Sequence, residues 1–132
     1  MPLVFQNILY GYINSLFAIV LGSISAGTIL TIESAFNVGF SDLLLGFIIH
    51  TTFFLFGSLP FCAIFNAIIG VPIYILSLKF KNQQKLILPT LGLISGMILV
   101  IWYFDSLTFS IIGAIYGGLS GYLFWRGATN ID

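Results

Sequence analysis

The chain has 132 residues, 59% of them hydrophobic and only 6% charged, with a mean hydropathy of +1.13. A water-soluble domain carries about a quarter of its residues charged, and four Lys/Arg with four Asp/Glu cannot clothe such a surface. That excludes a soluble globule, and a formal net charge of zero supplies no basic field to gather nucleic acid.

Lipid is therefore the expected solvent of one transmembrane domain covering residues 1–132. The charged residues bound uncharged runs from Met1 to Ile32, Leu43 to Leu78, Leu86 to Phe104 and Ser106 to Trp125. Each reaches the roughly 17–25 residues that carry a helix across about 30 Å of hydrocarbon. Backbone polar groups in lipid must be bonded within the chain, which leaves helices or a closed β-barrel. Barrel strands alternate apolar and polar residues; Phe53-Phe54-Leu55-Phe56 and Gly96-Met97-Ile98-Leu99-Val100-Ile101 do not. The expected fold is all-α, an integral membrane four-helix bundle with a long kinked second helix and spans near 8–32, 53–78, 86–104 and 107–125.

In the first run, Ile8 to Ile32 is the expected span, with Met1 to Asn7 along the interface. A cleaved signal peptide is not expected, because such peptides start with positive charge and no Lys or Arg precedes Lys79. The second run is too long for one straight crossing: its 36 residues would extend about 54 Å as a helix. Gly57-Ser58-Leu59-Pro60 and Gly70-Val71-Pro72 interrupt it, and proline inside a helix removes a hydrogen bond and kinks it. The preferred reading is an interfacial helix from Ser41 to Thr52 followed by one kinked, tilted span; two short crossings are the alternative. Trp102, Tyr103 and Phe104 end the third run and Tyr122, Phe124 and Trp125 the fourth, as in an interfacial aromatic belt.

Lys and Arg in short loops stay in the cytoplasm. Lys79, Lys81 and Lys85 follow the second span and Arg126 the fourth, on one side of a four-span chain, whereas Glu33, Asp42 and Asp105 fall on the other. Both termini are then expected in the cytoplasm, with the protein in a bacterial inner membrane.

Membrane helices associate by close packing at small residues. Gly113, Gly117 and Gly121 recur every four residues in the fourth run, and Gly92-x-x-x-Gly96 lies in the third, placing each set on one helix face. The first reading is packing inside the bundle, the second a homo-oligomer interface. Ser58, Cys62, Asn66 and Gly70 form a similar stripe in the second run. A carboxamide in hydrocarbon is costly unless bonded, so Asn66 and Asn14 are expected to make interhelical hydrogen bonds, or else to contact a solute or partner helix. Cys62 is the single cysteine and is read as a small apolar residue.

Catalysis needs positioned acids, bases, nucleophiles or metals. His50 is the one histidine; without neighbouring Cys, Asp or Glu it is no metal site, and Thr51 and Thr52 adjoin it rather than lying one turn away. No catalytic residue, metal or cofactor is expected, and no enzyme. The spans hold no Asp, Glu, Lys or Arg, whereas ion-coupled carriers use ionisable residues there. Small drug exporters of this size depend on a glutamate embedded in the first helix, and Glu33 lies at the end of its run instead. Asn14, Ser25, Thr28, Asn66 and Ser95 could line the path of a passive channel or small-solute permease formed by an oligomer. In length, span number and thin loops the chain resembles the small multi-span inner-membrane immunity proteins of bacteria. Such proteins bind the helices of a membrane-targeting toxin and neutralise it. The resemblance implies a membrane toxin as partner and helix–helix recognition as the mode of action; the remaining alternative is an accessory subunit of a larger membrane complex.

Overall fold

In the computed structural model, which describes residues 2–129, the chain is helical almost throughout. Helix α1 runs Pro2–Val38, α2 Leu43–Phe65, α3 Val71–Ser77, α4 Gln84–Phe104 and α5 Leu107–Thr129. A wide π turn, Asn66–Gly70, joins α2 to α3, and a tight 3-10 segment, Leu78–Gln83, joins α3 to α4. The fold is all-helical among the described residues, but the count is three long helices rather than four: α1, the joined stretch Leu43–Phe104, and α5. Each is long and apolar enough to cross a membrane.

The difference from four separate helices lies at the lysines. Lys79 and Lys81 stand in Leu78–Gln83, which stays helical except at Phe80 (φ −122°, ψ 51°). One residue out of helical geometry is enough to fold the stretch back on itself. Gln84 Nε2 donates to Ser77 Oγ across the bend at 3.2 Å, and Tyr74 and Leu88 share one buried cluster. A 62-residue helix left straight would measure about 93 Å, and residues 66 and 95 could not line one crevice, as they do.

The boundary expected near Thr52 is also corrected. Ser41 and Asp42 form a turn, and α2 then runs unbroken past Thr52, so Ser41–Thr52 is not a separate interfacial helix. Nothing in Leu43–Thr52 removes a backbone donor, and this half of α2 is held along α1. Thr31 Oγ1 lies 3.1 Å from His50 Nδ1, and Gly27 lies so close to Thr51 that a Cβ there would meet the Thr51 Cα at 3.0 Å. At the other end of α1, residues 2–7 continue the helix; Met1 lies outside the described residues. The 37 residues of α1 extend about 55 Å, longer than the hydrocarbon layer, a mismatch that helices absorb by tilting or by projecting from it.

Proline acts differently at its two interior positions in the second run. Pro60 sits inside α2 without ending it. Ahead of Pro72 the helix widens, and the Val71 N–H reaches back five residues to the Asn66 carbonyl. A proline ring crowds the carbonyl four residues earlier, here Ile68, and one loosened turn accommodates it. The turns between the long helices use left-handed residues: Gly39 (φ 115°) and Asp42 (φ 71°) after α1, Asp105 (φ 44°) after α4. Aspartate tolerates that region better than most side chains.

Helix α5 lies between α1 and α4, and α1 also packs along α2. Thr108 bonds to Glu33 at one end, and Gly127 meets Tyr10 and Gly11 at the other, so α1 and α5 are antiparallel. Two apolar clusters close the core, Tyr74–Leu88–Phe124–Ala128 near the bend and Ala26–Ile112–Tyr116 farther along. The same layout separates the charges. The bend lysines and Arg126 share the end marked by Tyr74 and Phe124, whose rings are 5.4 Å apart, while Glu33, Asp42 and Asp105 stand at the opposite end.

Candidate functional site

The polar residues of the helices meet in levels between α1, the middle helix and α5. At the lowest level Asn66, 3% exposed, opens the π turn. Ser120 Oγ of α5 donates to Asn66 Oδ1. Asn66 Nδ2 donates to Ser15 Oγ of α1 at 3.0 Å, and Ser15 Oγ in turn donates to the Tyr12 carbonyl at 2.6 Å. The donor–acceptor order is consistent from α5 through the middle helix to α1, so one carboxamide ties three helices together. Tyr12 adds a fourth bond nearby, its hydroxyl donating to the Ala63 carbonyl at 3.1 Å.

One level on, Tyr116 of α5 stands between α1 and α2. Ser23 Oγ donates to its own helix at Ile19 (2.6 Å), which leaves the Tyr116 hydroxyl to donate to Ser23 Oγ at 2.8 Å. The Ser58 hydroxyl, bonded to Phe54, also lies 3.2 Å from the Tyr116 oxygen. Gly22 makes room for the ring: a Cβ there would press into it. The third level is Thr31 with His50. His50 therefore faces α1 and is half-buried.

Ser58, Cys62, Asn66 and Gly70 keep a common face: Ser58 and Asn66 bond as above, Cys62 packs on the Tyr116 cluster, and Gly70 lies beside Asn66 and Phe124. Asn14 is on a different side of α1, where its Nδ2 donates to the Leu123 carbonyl at 2.7 Å. Gly113, Gly117 and Gly121 lie against α4, facing the carbonyls of Gly96, Gly92 and Leu88. The set Asn14, Ser25, Thr28, Asn66 and Ser95 does not converge on one path. Ser25, Thr28 and Ser95 bond to carbonyls of their own helices, and Thr28 is exposed. Ser15, Ser23, Ser120 and Tyr116 stand outside the stripes that the sequence predicts: Ser15, Ser23 and Thr31 are eight residues apart along α1, a step of about 80° around the helix each time, so spacing alone does not mark them.

Two spaces remain. A crevice of about 20 Å³ lies beside Asn66, Ser95, Ser120 and Gly117, room for about one water molecule. An open cleft of about 660 Å³ lies between α1 and α5 at the lysine-and-arginine end, lined by Gln6, Tyr10, Ile13, Asn14, Leu123, Arg126 and Gly127. Among the described residues no three His, Cys, Asp or Glu side chains gather as a metal site would require. No protein-family model matches the chain, and neither a curated protein nor a solved structure matches it.

Proposed function

We propose that the protein is a non-enzymatic, multi-pass membrane protein that acts by helix–helix recognition, as an immunity-type factor neutralising a membrane-targeting toxin. The observation that carries this reading is the inward closure of the Ser120–Asn66–Ser15 relay. Most of the costly polar groups of the spans serve the chain's own packing, Asn7 Oδ1 and Thr51 Oγ1 being the buried exceptions among the described residues, and what the three helices offer outward is apolar relief. Phe53, Phe56, Phe61, Ile68 and Leu76 of the middle helix are all more than half exposed, a broad surface on which partner helices can pack through shape. Its place is the bacterial inner membrane, with the lysine-and-arginine end and both termini in the cytoplasm by the positive-inside rule.

The test is genetic and physical together. A photo-crosslinker at Phe56 or Ile68 should capture one membrane protein in the native host, and deletion of the gene should make that host sensitive to it. Capture of lipid alone, with normal growth of the deletion strain against membrane toxins of neighbouring cells, overturns the proposal. A second reading, a passive channel or permease formed by an oligomer, is favoured by the stacked polar levels at Asn66, Tyr116 and His50. It requires solute flux in proteoliposomes that falls in Asn66→Leu.

A further inference from the structure

The open cleft between α1 and α5 is unlike the polar levels of the interior, because its cation has no partner among the described residues. Arg126 is exposed and makes no hydrogen bond or ion pair among the described residues. On its own such an arginine is an ordinary solvated charge. Here it stands at the rim of a space of about 660 Å³ whose other polar groups are the Gln6 and Asn14 carboxamides and the Tyr10 phenol. The base is backbone: Gly127 comes so close to α1 that a Cβ would lie 2.6 Å from the Tyr10 carbonyl and 3.0 Å from Gly11 Cα. The helices touch there and again where Asn14 Nδ2 donates to the Leu123 carbonyl at 2.7 Å. The walls are apolar, Ile13 on α1 and Leu123 on α5, and Phe17, one turn beyond Ile13, is 61% exposed.

We propose that this cleft holds an anionic phospholipid, its phosphodiester on Arg126 and one acyl chain along Ile13 and Phe17. The chemistry divides as such a molecule does. A guanidinium offers parallel N–H donors that match phosphate oxygens, and the Gln6 carboxamide and Tyr10 phenol suit the ester and hydroxyl groups around it, Asn14 Nδ2 being bonded to the Leu123 carbonyl. Ile13 lies on the bilayer side of Gln6 and Tyr10, and Leu123 on the bilayer side of Arg126. Basic pockets between membrane helices at a cytoplasmic face take lipid headgroups for this reason. A free anion would use the donors but leave Ile13, Leu123 and Phe17 without a role. The assignment rests on the chain crossing a membrane but not on any toxin partner.

The experiment is native mass spectrometry of the full chain in mild detergent, titrated with phosphatidylglycerol or phosphatidylcholine. The wild type should retain phosphatidylglycerol preferentially. Arg126→Gln should reduce that preference about fivefold, and Lys81→Gln, at the same end but outside the cleft, should leave it unchanged. Ile13→Trp, which fills the groove and keeps the charge, should lower retention of both lipids; circular dichroism checks that each variant is folded. Equal retention of the two lipids by wild type, or equal loss in Arg126→Gln and Lys81→Gln, overturns the site. Inorganic phosphate that displaces phosphatidylglycerol at equal concentration overturns the lipid as its occupant.

Discussion

Gly117 and Gly92 face each other across α5 and α4 with no side chain between them, so the two backbones meet directly. Gly113 and Gly96 repeat the contact one turn away, and Gly121 meets the Leu88 carbonyl in the other direction. With lipid as apolar as leucine, such close approach is what holds membrane helices together. It also gives weak Cα–H···O contacts their short range.

A side chain at Gly117 should separate the pair. Gly117→Leu forces α4 and α5 apart, and overpacking a tight interface costs about 1–3 kcal/mol or more. Gly57→Ala is the matched control, since a Cβ at Gly57 meets nothing within 4 Å. It should be neutral or raise stability by up to about 1 kcal/mol, the helix preference for alanine over glycine. Unfolding in mixed detergent micelles compares the two; a stable Gly117→Leu shows that α4 and α5 are not in contact as described.

The relay through Asn66 should show coupling rather than a large single loss. Interhelical hydrogen bonds in membranes contribute about 0.6–2 kcal/mol. Asn66→Ala removes the acceptor of Ser120 and the donor to Ser15, while Ser15 keeps its bond to Tyr12. A double-mutant cycle of Asn66→Ala with Ser120→Ala should give a positive coupling of about 0.5–1.5 kcal/mol. Strictly additive losses mean that the two side chains act separately.

Both of these sites could be seen in the amino-acid order, and the reason is their spacing. Glycines at 113, 117 and 121, and Ser58, Cys62, Asn66 and Gly70, fall on single helix faces whatever the tertiary arrangement. The partners of Asn66 could not be seen in the same way. Serines in membrane helices commonly bond back to their own carbonyls, and Ser23, Ser25 and Ser95 all do. Only the register of α1 against α5, set by contacts about a hundred residues apart such as Asn14 to Leu123, brings Ser15 and Ser120 to one carboxamide. The reversal between the second and third spans lies where the lysines predict it, but its form differs. Three lysines in seven residues resemble a loop, yet Leu78–Gln83 stays helical and turns on Phe80 alone.

Tyr116 should separate packing from hydrogen bonding. In Tyr116→Phe the hydroxyl is lost, but Ser23 and Ser58 retain their bonds to Ile19 and Phe54. No buried donor is stranded, and the loss should be below about 1 kcal/mol. Tyr116→Ala empties the space over Gly22 and should cost about 3–5 kcal/mol, the range for deleting a buried aromatic ring. Thermal denaturation in detergent distinguishes them; equal losses would place the stabilisation in the hydroxyl.

The fold-back at Phe80 fixes which loops share a side, and cysteine labelling reads it out. The native Cys62 is removed as Cys62→Ser, and single cysteines are placed by Ser41→Cys, Asn82→Cys and Ser106→Cys. Residue 41 lies in the turn after α1 and residue 106 in the turn before α5, at the end where Glu33 bonds to Thr108. Residue 82 lies in the bend at the other end. A middle helix that reverses at Phe80 crosses the bilayer twice, so 41 and 106 emerge together; a straight one would send 106 to the opposite side from 41. In intact cells a membrane-impermeant maleimide should label Ser41→Cys and Ser106→Cys, and label Asn82→Cys only after permeabilisation, as the positive-inside rule expects of a bend that carries Lys79, Lys81 and Lys85. Labelling of 41 and 106 from opposite sides would show that Leu43–Phe104 crosses once, and the antiparallel packing of α3 on α4 would fall with it.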